Sequence, residues 1–158
     1  MAVVGTPVAA AATADVVSAD EMRDFLRDKA GNNPLLDGVE FSDTELTTAL
    51  ARACDHANVV ARPTGWTPIT FPNKYVLLLG AGGYLMQSEA FRQVRNEAHY
   101  QDGNIQPIGI DDKQSLYMGI AKSLKAEFVQ LVTSIKIQSN MSASSSLSSP
   151  SRNSRALY

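Results

Sequence analysis

Four consecutive positions invite a chemical reading first. Gly80-Ala81-Gly82-Gly83 follows the apolar run Tyr75–Leu79. If that run were a buried strand, the glycine amides and the next helix's dipole would cradle a pyrophosphate. The chain would then be a nucleotide- or dinucleotide-binding domain built on Gly80–Gly83. The rest of that fingerprint is thin. Counting from Gly80 and Gly82, the sixth position is Leu85, where glycine or alanine is wanted. The region that should hold a second strand ending in an acid, Gln93–Gln101, reads as helix and turn. No strand pattern precedes residue 70.

Other reactive side chains are scattered. His56 and His99 are the only histidines, and no HExxH-like spacing surrounds them. Each reads as a surface or packing histidine. Asp111-Asp112 reads as a helix cap and not as an acid–base pair. Cys54 is the one cysteine, so neither an internal disulfide nor a thiolate metal cluster is available. Its alanine neighbours make it a small core residue. We therefore expect no enzyme: catalytic residues none, cofactor-binding residues none, metal ligands none, and no cofactor.

Composition narrows the class further. The chain has 158 residues, 44% of them hydrophobic, enough for one core. Its formal net charge of −2 argues against a dedicated nucleic-acid binder. The charge is uneven, with acids dominating residues 1–62 and only Arg152 and Arg155 charged in the last twenty. No apolar run reaches the roughly 20 residues of a membrane span. The N-terminus is alanine-rich without a basic n-region, and reads as a loosely ordered arm over 1–17.

The elements that must carry these residues are helical. Ser18 and Glu21 form a capping box with Val17 and Met22 as its staple, predicting a first helix over 19–30 ended by Gly31. Ser42 and Glu45, with Phe41 and Leu46, repeat the same start. Leu46, Ala49, Leu50, Ala53, Cys54 and Ala57 then share one face of a second helix ending near Asn58. Between the two, Leu35–Glu40 reads as a turn with apolar anchors. Four residues in 62–72, Pro63, Gly65, Pro68 and Pro72, predict an extended arm with Trp66 and Ile69 as its contacts.

The favoured reading of 71–100 is one long helix. Leu78, Leu85 and Phe91 fall near a common face, and Tyr75, Leu79 and Met86 near a flanking one. Gly80 and Gly83 then open a notch for a neighbouring backbone. Interior glycines cost up to ~1 kcal/mol each against alanine, so three together need a packing reason. Glu89, Arg92, Arg95 and Glu97 read mostly as a solvated face. After a turn at 101–104 and an extended 105–110, Tyr117, Ala121, Leu124, Phe128, Leu131 and Ile135 form a heptad-like seam. Lys122, Lys125, Glu127 and Lys136 lie off that seam, where solvent is expected. From 139 to 158 the chain holds nine serines and no apolar period, which predicts a disordered tail. The expected fold is all-α: a small helical bundle over 18–138 with two long helices, an extended arm, and flexible terminal arms.

Taken in order, four blocks resemble a known family. They are NPLLDGVEFSDTELTTALARACDHAN, the Pro/Trp arm, FPNKYVLLLGAGGYLMQSEAFRQVRNEAHYQDG, and DDKQSLYMGIAKSLKAEFVQLVTSIK. Together they look like the head-to-tail adaptor (connector) proteins of tailed bacteriophages, over roughly residues 32–138. Leu124-Lys125-Ala126-Glu127-Phe128 is similar to the family's closing-helix motif. The resemblance implies a virion neck protein: a homo-oligomeric, dodecameric ring beneath the portal protein and above a tail or nozzle protein. Such a ring continues the DNA channel without sequence-specific binding and without contacting a membrane. It would assemble in the host cytoplasm, with terminal arms reaching into neighbouring rings. No catalytic or metal residue carries over. Arg95-Asn96 and Tyr100-Gln101-Asp102-Gly103 match recurring segments whose implied role is structural, setting the long helix's end and turn. The glycine content of 80–83 exceeds the family pattern and puts the helix's straightness in question.

Overall fold

A computed structural model describes residues 16–32, 38–97 and 111–147. The arm over 1–15, most of the apolar-anchored turn, His99, the segment 98–110 and the last eleven residues lie outside the described residues. Among the described residues there are four α-helices, one 3-10 turn and no strand. They are α1 (Ala19–Leu26), α2 (Asp43–Val59), α3 (Lys74–Glu97) and α4 (Asp111–Leu147), with the 3-10 turn at Ala30–Asn32. The all-α class follows directly.

Both capping boxes form. The Ser18 hydroxyl accepts from the Glu21 amide while the Glu21 carboxylate accepts from the Ser18 amide, and Ser42 and Glu45 repeat the exchange. Val17, Met22, Phe41 and Leu46 are buried, as two hydrophobic staples require. The first helix is shorter than its sequence pattern. It ends at Leu26 because Arg27 turns left-handed at φ 61°, and the Arg27 and Asp28 amides bond back to Asp24 and Arg23 carbonyls. Gly31 therefore lies in the 3-10 turn and not at the cap.

A buried carboxylate explains the early stop. Asp28 is only 4% exposed and accepts from the Glu40 amide at 2.6 Å and the Phe41 amide at 3.0 Å. Arg23 joins it at 3.1 Å and reaches Asp43 in the first turn of α2 at 2.6 Å. The chain must leave α1 for Asp28 to anchor the entry to α2. Asp20 and Glu21 in the first turn of α1, and Asp43 and Glu45 in that of α2, also suit the positive ends of those helices.

The long stretch beginning at Lys74 is one helix, so Tyr75 to Gly83 is coiled throughout. Asn73 starts it, its side-chain oxygen accepting from the Val76 amide at 3.2 Å. α3 packs antiparallel on α4 along most of its length, α2 lies across α3, and α1 rests on α2 and α3. The core runs through Met22, Leu46, Ala53, Cys54, Leu77, Leu79, Phe128 and Val132. α4 runs to Leu147, nine residues beyond the point where the serine-rich composition predicted loss of structure. Residues 137–142 of that extension are exposed, and the Arg62 guanidinium donates to the Asn140 side-chain oxygen at 3.3 Å.

Candidate functional site

The glycines of α3 are where the helices meet. A Cβ at Gly80 would fall 2.7 Å from Phe128 Cε2 of α4 and 2.9 Å from Ala53 Cβ of α2. At Gly82 it would fall 3.0 Å from Phe25 Cε1 of α1. At Gly83 it would fall 2.8 Å from Lys125 Cγ and 3.5 Å from backbone atoms of Ala121 and Lys125. Each missing methyl thus admits a different neighbour: α2 and α4 at Gly80, α1 at Gly82, and the α4 backbone at Gly83. The notch read from the sequence is present, and it serves this chain's own bundle. The strand that a phosphate-cradling loop requires is replaced by helix at Tyr75–Leu79, and the glycines face side chains.

Lys125 and Lys136, both expected in solvent, are held by the bundle. The Lys125 ammonium sits 4.0 Å from the Tyr84 ring centroid and donates to Gln87, while burial pushes its pKa down. Lys136 is 4% exposed. Its ammonium donates to the carbonyls of Ala57, Val60 and Arg62, and lies 5.2 Å from the Trp66 ring. It closes the C-terminus of α2, where the helix dipole and unpaired carbonyls favour a cation. Burial pushes this ammonium's pKa down as well.

The Pro/Trp arm is pinned beside that lysine. The Asn58 side chain donates to the Trp66 carbonyl and accepts from the Trp66 amide, both at 2.8 Å, and accepts from the Thr64 hydroxyl at 2.9 Å. Trp66 meets Phe71 edge-on at 5.3 Å. Trp66 is therefore a half-buried plug within this chain, whereas Ile69 is 57% exposed.

Glu89 corrects another surface assignment. It is 2% exposed, accepts from Gln93 Nε2 at 2.6 Å and pairs with Arg92 at 3.3 Å. Burial first, and repulsion from the Glu89 carboxylate second, raise the Glu40 pKa. Arg92 and Arg95 are exposed, as the sequence predicts. Phe91, placed on a core face by its spacing, is 55% exposed. Val94 on α3 is exposed too, as are Leu116 and Ile120 on α4, at 63% and 48%.

Two shallow clefts are present among the described residues. One, of about 320 Å³, lies beside α1 and is lined by Asp20, Asp24, Lys29 and Val39. The other, of about 140 Å³, runs between α2 and α3 past Glu45, Arg52, Tyr84 and Arg92. Thr44, Thr48 and Ser88 also line the second cleft, where the Glu45 carboxylate is engaged by Ser42 and that of Glu89 by Gln93 and Arg92. Among the described residues no group of three His, Cys, Asp or Glu side chains is placed to hold a metal, and no helix is long and apolar enough to cross a membrane. His56 packs within the bundle, and burial holds the Cys54 thiol up at about 11. Lys136 carries a sequence signal in retrospect, standing one i+4 step beyond Val132 on the row from Phe128. Asp28, in a linker, carries none.

Compared with protein-family models, curated proteins and solved structures, the chain matches none of them.

Proposed function

We propose that this chain is a structural head-to-tail adaptor of a tailed-phage virion, not an enzyme. In this reading copies assemble into a closed ring between a portal protein and the tail, and the ring continues the DNA channel. Localisation is the virion neck, after assembly in the host cytoplasm. Support comes first from the four ordered sequence blocks over roughly residues 32–138.

The single observation that carries it is the exposure of large apolar side chains on both α3 and α4. Phe91, Val94, Leu116 and Ile120 are each between 43% and 63% exposed. Large apolar side chains left in water on two packed helices favour a protein neighbour wherever they adjoin. A bundle of stiff helices with such a surface is suited to standing beside copies of itself. The net charge of −2 fits a channel wall that lets DNA slide, since few free cations mean few phosphate contacts.

Light scattering and negative-stain microscopy test this, with the chain alone and mixed with a phage portal ring. Closed rings, alone or seated on the portal, are the expected result. A monomer under both conditions at micromolar concentration overturns the proposal.

A further inference from the structure

His56 stands where three helices meet. It belongs to α2, and its ring lies 5.6 Å from the Phe128 ring of α4 and 6.2 Å from the Tyr84 ring of α3. Its Nδ1 is buried and has no hydrogen-bond partner among the described residues.

The charged and titratable groups around it can be named helix by helix. On α4, Lys125 holds its ammonium against Tyr84, and its stem is fixed in the notch at Gly83. On α3, Tyr84 carries a phenol that burial keeps protonated above its ordinary 10.0. On α2 itself, Arg52 and Asp55 are exposed and act on Tyr84 with opposite sign.

A neutral imidazole fits this setting and an imidazolium does not. Protonation would give Nδ1 a hydrogen with no acceptor, and would put a second cation near Lys125 in a partly buried space. Burial first, and Lys125 second, lower the affinity of His56 for a proton. We propose that His56 is a proton-operated latch, whose protonation loosens α2 from the α3/α4 pair on mild acidification. The sign follows from linkage. A histidine whose proton affinity is lower in the folded chain contributes fully above the unfolded value of 6.5, and that contribution is lost as pH falls below it. Loosening α2 also slackens the three carbonyls that Lys136 holds. The inference depends only on this chain's own bundle, so its test and the ring test fail independently.

Proton NMR titration of the full chain is the direct test. The chain has two histidines, so His99→Gln assigns the His56 signal. His56 is expected to titrate below the ordinary histidine value, and Lys125→Gln to move it back toward that value. The melting temperature of the unaltered chain should fall by several degrees between about pH 7.5 and about pH 5, and His56→Gln should remove most of that fall. Titration of His56 at the ordinary value overturns the latch. So does an undiminished pH dependence of melting in His56→Gln. If His56→Gln does not fold, the titration and its response to Lys125→Gln decide alone.

Discussion

Lys136 Nζ stands 2.6 Å from the carbonyl oxygen of Arg62, 74 residues earlier in the chain. An ammonium has three protons, and here each meets a carbonyl, at Ala57, Val60 and Arg62. The last turn of α2 and the chain just beyond it thus supply what a carboxylate supplies to most buried lysines. The same ammonium faces Trp66, so one side chain joins α4, the end of α2 and the arm.

Replacing Lys136 with methionine keeps the length and removes the donors. Three carbonyls would then lose their partner in a largely buried site. We expect a loss of ~2–4 kcal/mol in stability. Trp66 is the only tryptophan, so its emission should shift to the red as the arm loosens. Urea unfolding followed by that emission measures both. An unchanged midpoint would show the clamp to be energetically idle.

Two glycine-to-alanine substitutions should differ in sign. At Gly80 the new methyl meets Phe128 and Ala53 below 3.0 Å, so overpacking of ~1–3 kcal/mol outweighs the gain in helix propensity. At Gly119, also helical, nothing lies within 4 Å, and alanine should stabilise by roughly 0.5–1 kcal/mol. Chemical denaturation of both variants checks the contrast. Equal shifts in one direction would contradict the notch.

Cys54 should be inert until the bundle opens. It is 2% exposed, and burial lifts its thiol to about 11, so little thiolate exists at neutral pH. A thiol reagent added to the native chain should label slowly, and labelling should accelerate at the unfolding midpoint in urea. Rapid native labelling would place Cys54 outside the core.

The two capping boxes should set the acid limb of stability. The bond from Lys74 first and the Ser18 amide second hold the Glu21 carboxyl below its ordinary 4.5, and the Ser42 bonds do the same for Glu45. A carboxylate depressed in the folded chain adds stability above its unfolded value and loses it as pH falls through the folded value. Helix content by circular dichroism should therefore fall below about pH 4.5, on an acid limb separate from that of His56. Ser42→Ala should cost ~1 kcal/mol at neutral pH. An acid limb that survives Glu21→Gln together with Glu45→Gln would assign it to other groups.

Helix starts were legible because they are written in local chemistry. Ser18 with Glu21 and Ser42 with Glu45 need no distant partner to be recognised. The core face of α2 was legible for the same reason, since a spacing of three and four marks one side of a helix. The end of α1 was not, because Asp28 gains its partners from Glu40 and Phe41 across a linker. Lys136 and Glu89 were misplaced because their charge was weighed before their position. Each lies four residues beyond a buried side chain, Val132 and Leu85; the partners of Lys136 stand more than 70 residues away, whereas those of Glu89 are its own helix neighbours Arg92 and Gln93. The α4 seam was also drawn at the heptad period. A helix drifts from that period by about 20° per repeat, which brings Val132 and then Lys136 inward.

The contact at Gly83 has a mechanical consequence. α4 spans 37 residues, about 55 Å of axis, and its backbone at Ala121 and Lys125 lies against the space left by Gly83. With Phe128 seated at Gly80 and Lys136 held by the end of α2, the helix is fixed at several places along its length. A load on the residues past Lys136 is therefore shared among α2, α3 and the arm instead of being passed along α4 alone.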